Sequence, residues 1–269
     1  MERVTSRRNP VIVHIKKLGA SRRYREESKE YLCDGIKLLE EAINCGAEVT
    51  TVLTSGTIPI PLPLGTRVIF TDRAIIDSAS PLTNAQDVLF VCRKQDDDEY
   101  FDIAGTHLLL DGIKDPGNLG TIIRTANAFN ISSIIMTNDC ADAFNPKTIR
   151  ATMGTIFRQR LHTMTVNKLS ALRDTGLTFI GAAISRESRD IRSTNLCGSI
   201  IAIGNESHGL SKEILNLCSA IVSIPISADC ESLNAAVAAA IIMWEARRLH
   251  SQSIQFGLLF LRESGLLLR

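Results

Sequence analysis

Several kinds of site are missing from this sequence, and each absence narrows what it can do. The seven cysteines, at 33, 45, 92, 140, 197, 218 and 230, form no CxxC pair and are odd in number. A disulfide framework is therefore not expected, and no Cys/His spacing fits a zinc site. Reduced, mostly buried thiols are the expectation. No apolar run reaches the ~18–20 residues that span a bilayer, and the N-terminus lacks the apolar segment of a signal peptide. Those two absences point to a cytoplasmic chain with no membrane and no metal partner. GxGxxG is absent, which argues against a dinucleotide-binding α/β protein. GxSxG is absent, which argues against a hydrolase elbow. There is no internal repeat or low-complexity tract.

What is present is enough for a sizeable core. Of 269 residues, 45% are apolar and 22% charged, which suits one large domain or two ordinary ones. The net charge of +1 makes no bulk polyanion binder, but the charge is unevenly spread. Residues 1–25 carry Arg3, Arg7, Arg8, Lys16, Lys17, Arg22, Arg23 and Arg25 against Glu2 alone. Such a stretch is either a solvated terminus or an arm that contacts phosphates.

The pattern divides the chain. Residues 1–94 read as a small α/β domain. Asn9-Pro10 opens a helix with Val11, Ile12, Ile15 and Leu18 on one side. Ile36–Cys45 is an amphipathic helix ended by Gly46, and Asp72 is placed to cap a short helix over 73–79. Strands are expected at 31–33, 49–53, 68–70 and 88–92. Residues 95–105 include Asp96-Asp97-Asp98-Glu99 and read as an acidic linker. From 106 to 249 strands at 107–110, 133–137, 177–183, 200–203 and 220–226 alternate with helices. That alternation predicts a parallel sheet covered by helices on both faces. Residues 250–269 are an apolar tail with no assigned role.

Four polar segments in this second part could carry chemistry. The first, Asp111 to Gly120 followed by Arg124, is a strand, a Pro-Gly turn and a helix expected to begin at Asn118. Helix starts present free amides that suit a phosphate. Asn118 and Arg124 are six positions apart and need not share a helical face. The second segment, Asn145 to Gly154, puts Lys147 and Arg150 at i, i+3 on one helical face, either as a phosphate clamp or as a solvated basic face. The third is Gly204-Asn205-Glu206-Ser207-His208-Gly209. The fourth runs from Ile224-Pro225 to Glu231-Ser232-Leu233-Asn234, where Ser232 or Asn234 can cap an alanine-rich helix. The last two loops follow adjacent strands, the usual ligand crevice of an open α/β sheet.

DPGNLGTIIRTANAF, then GNExxG, then IP and ESLNxxxA, taken in that order, resemble the SpoU family of RNA ribose 2′-O-methyltransferases. The segment VTSRRNPVIVHIKKL…YLCDGIKLLEEAI resembles the ribosomal-protein-like RNA-binding module often found ahead of that catalytic domain. Departures from the family pattern are Asp34 for Glu, Asn130 for Gly, Thr152 for Ser and Ser207 for Gly. Asn tolerates the left-handed conformation that a Gly would adopt at 130.

The resemblance implies a fold and a set of roles. The fold is a small α/β RNA-binding domain followed by a parallel sheet with a C-terminal trefoil knot. The cofactor is S-adenosyl-L-methionine (AdoMet), held by backbone at Gly204, Ile224 and Leu233, with Ser232 and Asn234 lining the same pocket. Arg124 is implied as the group that deals with the ribose 2′-proton, as base or as electrostatic positioner. A free guanidinium holds its proton strongly, which favours positioning. Asn118 would hold ribose or phosphate, and Glu206 would orient Arg124. Arg7, Arg8, Lys16, Lys17, Arg22, Arg23, Lys147 and Arg150 are the candidate RNA contacts. A homodimer packed through the C-terminal helix is also implied. By analogy with similar proteins carrying this N-terminal module, the substrate is 23S ribosomal RNA. Transfer RNA, or a non-catalytic RNA-binding protein with the same fold, are the alternatives.

Overall fold

In the computed structural model the described residues are 2–95, 101–185, 187–227 and 229–248. Residues 96–100 of the acidic linker, and residues 249–269, lie outside them. The chain folds into two compact units. The first takes in residues 1–98, 115–124 and 141–158, and the second takes in 99–114, 125–140 and 159–269.

The first unit is built on a mixed five-stranded sheet. Its strands are β1 (Glu2–Arg3), β2 (Glu30–Asp34), β3 (Val49–Thr54), β4 (Arg67–Phe70) and β5 (Val88–Arg93), in the order β1-β4-β3-β5-β2. β1, β4 and β3 run parallel, while β5 is antiparallel to both β3 and β2. The two-residue β1 is too short to carry a periodic signal and was not expected.

Helix α1 (Pro10–Ala20) starts where Asn9-Pro10 predicts. Asn9 Oδ1 accepts from the Val11 amide at 3.0 Å, and proline at the first position loses no hydrogen bond. Ile12, Ile15 and Leu18 are fully buried and pack with Leu32, Leu53, Ile69, Ile75 and Ile76. Helices α2 (Arg22–Ser28), α3 (Ile36–Asn44) and α4 (Arg73–Ala79) complete this part. Asp72 precedes α4 but gives no side-chain cap; its carboxylate pairs with Arg3 at 2.9 Å instead. The basic N-terminal stretch is also less free than its composition suggests. Arg22 and Arg23 pair with Glu26 and Glu27 one turn on, and Arg25 is buried.

The second unit is a seven-stranded, wholly parallel sheet. Its strands are β6 (His107–Leu110), β7 (Ser133–Met136), β8 (Leu161–Thr163), β9 (Thr178–Ala182), β10 (Arg189–Asp190), β11 (Ser199–Ile203) and β12 (Ala220–Ser223). The order is β10-β12-β9-β11-β6-β7-β8, so β11 and β12, expected from the sequence to be neighbours, each pair with β9, which lies between them. β6, β7 and β11 are buried at every residue, as strands covered on both faces must be. The chain runs from β6 outward through β7 and β8, crosses to β9 and β10, and then inserts β11 between β9 and β6 before moving away again to β12. The sheet therefore has a switch point between β6 and β11, and the carboxyl ends of those strands are where ligands bind in such sheets. This unit's helices are α7 (Val166–Asp174), α8 (Lys212–Leu217) and the alanine-rich α9, helical over residues 235–248; of the two remaining helices, α6 (Pro146–Thr152) and residues 116–124 of α5 (Pro116–Ala128) belong to the first unit. β8 and β10 are three and two residues long and were not expected. β12 ends at Ser223, so the run to Ile226 expected as strand is half loop.

Asn130 has φ 55, the left-handed turn expected at that position. At the opposite edge of the strands, His107 is buried with its ring stacked on Phe101 at 4.1 Å. Its Nδ1 pairs with Ser133 Oγ at 2.8 Å and its Nε2 with the Asp102 carbonyl at 2.7 Å. Burial lowers its pKa from the ordinary 6.5. The unfolded chain therefore binds this proton more readily than the folded one. Stability is full above about pH 6.5 and falls as the pH drops toward the lowered folded value. Chemical denaturation at pH 7.5 and 5.5 should show that loss in the wild type and a shallower loss in His107→Gln. An equal slope in both would assign the acid sensitivity elsewhere.

Candidate functional site

The loops that leave β9, β11 and β12 close around a cavity of about 450 Å³, within the ~300–1,000 Å³ common for small-molecule sites. Its walls include Ile203, Leu210, Ile221, Ile224, Leu233 and Ile242, with small side chains at Ala182, Ala183, Ala235 and Ala238. Gly204, Glu206, Ile224, Ser232 and Leu233, all singled out from the sequence, line it. Glu206 is exposed and is the one carboxylate among the described lining residues.

The loop after β11 is fixed by its own backbone. Asn205 and Gly209 exchange amide–carbonyl hydrogen bonds at 3.0 and 2.8 Å. The Asn205 side chain ties the loop in two directions. Its Nδ2 donates to the Gly112 carbonyl at 2.8 Å, and its Oδ1 accepts from the Ser207 amide at 2.8 Å. Buried Asp111 accepts from the Ser211 amide at 2.7 Å. The turns after β6 and β11 are thus tied at two points. Sequence reading noted Asn205 and Asp111 only as motif letters; their acceptors and donors lie about a hundred residues away and leave no local signal. Gly204 is the crossing point, where an added Cβ would sit 2.1 Å from the Gly209 carbonyl carbon and 2.3 Å from the Leu210 nitrogen.

Asn234 does not line the cavity. It caps α9, its Oδ1 accepting from the Ala236 and Val237 amides at 2.9 and 3.3 Å. Ser232 lines the cavity and is not the cap. His208 also lines the cavity and is exposed. The residues of β9 and the loop after it, from Ala182 to Ser185, supply a wall that sequence reading did not assign.

Asn118 and Arg124 both stand on α5. The helix begins at Pro116, two residues before the expected start, and Asp115 Oδ1 takes the Asn118 amide at 2.7 Å. A carboxylate therefore holds the helix-start amide that had been read as a phosphate donor. Six residues of helix separate the two side chains by about 9 Å of rise and about 120° around the axis. Arg124 is exposed between buried Ile123 and Ala126. On α6 Lys147 is exposed, whereas Arg150 donates to the Thr83 and Asn84 carbonyls at 3.3 and 3.4 Å. Arg7, Arg8, Lys17, Arg22 and Arg23 are exposed and Lys16 half-buried.

Among the described residues no helix is long and apolar enough to cross a membrane, and no cluster of three or more His, Cys, Asp or Glu could hold a metal ion. The cavity fits an adenosyl group on its own terms. It has a mostly apolar wall for a flat ring, polar edges at the strand ends, and backbone brought close where no side chain fits.

Gly204→Ala should force the two loop strands apart. Overpacking of this kind costs about 1–3 kcal/mol, read as a lowered denaturation midpoint. A midpoint equal to the wild type would mean that the close approach at 204 is not structural.

Comparison with known proteins agrees with this architecture. Residues 105–244 match the SpoU rRNA Methylase family, and residues 9–89 match the MRM3-like substrate binding domain. The chain is 28% identical over 254 residues to the 23S rRNA (guanosine(2553)-2′-O)-methyltransferase RlmP of Bacillus subtilis, covering 92% of this chain and all of that protein. The AdoMet-bound rRNA methyltransferase from Sinorhizobium meliloti superposes with a TM-score of 0.80 at 27% identity, over 92% of this chain and 97% of that one. The SpoU methyltransferase AviRb from Streptomyces viridochromogenes, in complex with AdoMet, also gives 0.80, at 26% identity over 90% and 98%. With a family match across more than half its length, the chain belongs to the SpoU rRNA methylase family.

Proposed function

We propose that this protein transfers a methyl group from AdoMet to a ribose 2′-hydroxyl of 23S ribosomal RNA. The observation that carries the reading is the cavity at the ends of β9, β11 and β12. Three family-motif positions, Gly204, Ile224 and Leu233, line it together. The full-length likeness to RlmP favours ribosomal RNA as the substrate. The domain reading is part of the same proposal: residues 1–94 bind the RNA and 106–249 hold the methyltransferase.

The cofactor, when bound, supplies an electrophilic methyl group on a sulfonium. The protein's own part is to hold and to orient. The apolar walls and the tied 204–210 loop hold the adenosyl end and keep water out. Glu206, the carboxylate at the cavity, orients the Arg124 guanidinium. Arg124 draws in the phosphate beside the target ribose and stabilises charge growing on the 2′-oxygen. Asn118 holds the ribose or its phosphate. Alignment of two bound groups supplies on the order of 7–11 kcal/mol in favourable cases, so no metal is required. The exposed cations Arg7, Arg8 and Lys17, with Lys147 on α6, bind backbone phosphates of a looped or single-stranded region, where a ribose can be reached.

Methyl transfer from labelled AdoMet to 23S, 16S and transfer RNA, followed by nucleoside analysis, tests the reading. Label in a 2′-O-methylated nucleoside of 23S RNA is expected; label on a base, or in transfer RNA alone, would replace it. Arg124→Ala should lower kcat by roughly 10²–10³-fold with AdoMet affinity kept, and full activity would remove its assigned role. Replacing Arg7, Arg8 and Lys17 together by alanine should reduce the salt dependence of RNA binding by about two units of slope, at ~0.7 per phosphate contact.

The protein is also proposed to act as a homodimer. Val237, Ile241 and Trp244 leave an exposed apolar stripe at i, i+4 and i+7 along α9, with Trp244 59% exposed. A wet stripe of this kind is the expected face of a partner helix. Sedimentation at micromolar concentration should give a dimer for the wild type and a monomer for Trp244→Asp. A wild-type monomer would end the proposal.

A further inference from the structure

Residues 141–158 lie inside the span matched to the methylase family, yet they pack in the first unit with the substrate-binding module. The fastening is chemically specific. Arg25 on α2 is 5% exposed, and its guanidinium reaches Asp142 Oδ2 from Nε at 2.8 Å and from Nη2 at 2.6 Å. Its Nη1 donates to the Leu18 carbonyl at the end of α1 at 2.5 Å. Asp142 in turn shapes the turn into α6. Its Oδ1 accepts from the Phe144 amide at 2.9 Å, and its carbonyl accepts from the buried Thr148 hydroxyl at 3.0 Å. Phe144 packs on Tyr31 of β2 at 4.7 Å between centroids. Arg158 closes the far end on Glu41 at 2.9 Å, but that pair is exposed.

The same segment grips α5. A Cβ at Gly120 would lie 2.5 Å from the Thr148 carbonyl oxygen and 2.5 Å from Ala151 Cβ, so the two helix backbones touch. Gly120 stands two residues after Asn118 and one turn before Arg124. A continuous path of packed groups thus runs from α1 and α2, through the ion pair and α6, to α5.

We propose that Arg25 and Asp142 are positioning residues for methyl transfer: their buried ion pair fixes α6, and through Gly120 α5, on the RNA-holding module, and so sets where Asn118 and Arg124 stand relative to bound RNA. The proposal rests on the reactive role given to Arg124 above. Exposed ion pairs hold groups weakly. This pair is 5% and 15% exposed at its two side chains, and three contacts from the guanidinium with one amide on Asp142 Oδ1 define its geometry; a shift of about 1 Å at a reacting group can cost 10²-fold in rate. Arg25 therefore works through its burial, and not as one of the surface cations with which the sequence groups it.

Removing one charge alone would leave the other buried and unpaired and would endanger folding. The test is the double substitution Arg25→Met with Asp142→Leu, compared with Arg25→Lys. With folding verified by a cooperative melt, the double variant should lose roughly tenfold or more in kcat at saturating RNA, with AdoMet Kd within about twofold of wild type. Amide hydrogen exchange should quicken at 115–124 and 141–158 but not at 199–210. Arg25→Lys, which keeps the charge, should recover much of the rate. A folded double variant with wild-type kcat would overturn the proposal, and so would unchanged exchange in both segments. A wild-type rate in Arg124→Ala would instead remove the role of Arg124, a result independent of the exchange readout.

Discussion

The backbone crossing at Gly204 is the constraint on which the second unit's site depends. β11 must end with its chain pressed against residues 209 and 210, because no side chain fits between them. That crossing permits the Asn205–Gly209 bridge, and the bridge presents Asn205 to Gly112. The turn after β6 and the turn after β11 then become one structure. Asp111 ties them again through Ser211. Where connections leave two adjacent parallel strands in opposite directions, as they do from β6 and β11, a crevice opens at the carboxyl ends. Here the crevice is kept at a fixed width by backbone contacts that a single methyl group would break.

A similar contact organises α5. Gly120 brings that helix against α6 with no side chain between, so a motif residue that looks like a turn glycine acts as a packing glycine. The two glycines have different consequences. At 204 the close approach shapes a cavity. At 120 it transmits position, since whatever fixes α6 also fixes the helix that carries Asn118 and Arg124. The buried Arg25–Asp142 pair is where that position originates, and its cost in desolvation is offset only because Leu18 and Phe144 complete its hydrogen bonding.

Much of the fold was legible because its signals are local. Asn9-Pro10 marks a helix start through one side chain and one missing donor, and the helix begins there. The apolar runs at 107–110 and 200–203 are buried on both faces, and they read as such without any partner in view. What was not legible is set by distance or by brevity. β1, β8 and β10 have two or three residues each, too few for a period. The sheet order depends on contacts that no run of residues encodes. Asp72 met every local requirement of a cap and was taken by Arg3 from 69 residues away. Asp115, not Asn118, takes the amide at the start of α5, because the helix could begin as early as Pro116.

Charge is where the folded chain adds most to a local reading. A basic stretch counts every arginine equally, whereas the folded chain sorts them by the work they do. Arg22 and Arg23 stand in exposed pairs with glutamates one turn away, Arg150 donates to two carbonyls, and buried Arg25 is held on the partly buried Asp142. Arg7, Arg8, Lys17 and Lys147 are exposed, Lys17 with its ammonium over the Tyr24 ring at 5.3 Å. Phosphate binding releases counterions in proportion to the charges that face it, so exposure and pairing decide what each cation has to offer a phosphate. The arginine withdrawn by burial gains a different use: it fixes geometry, which a mobile surface cation cannot do.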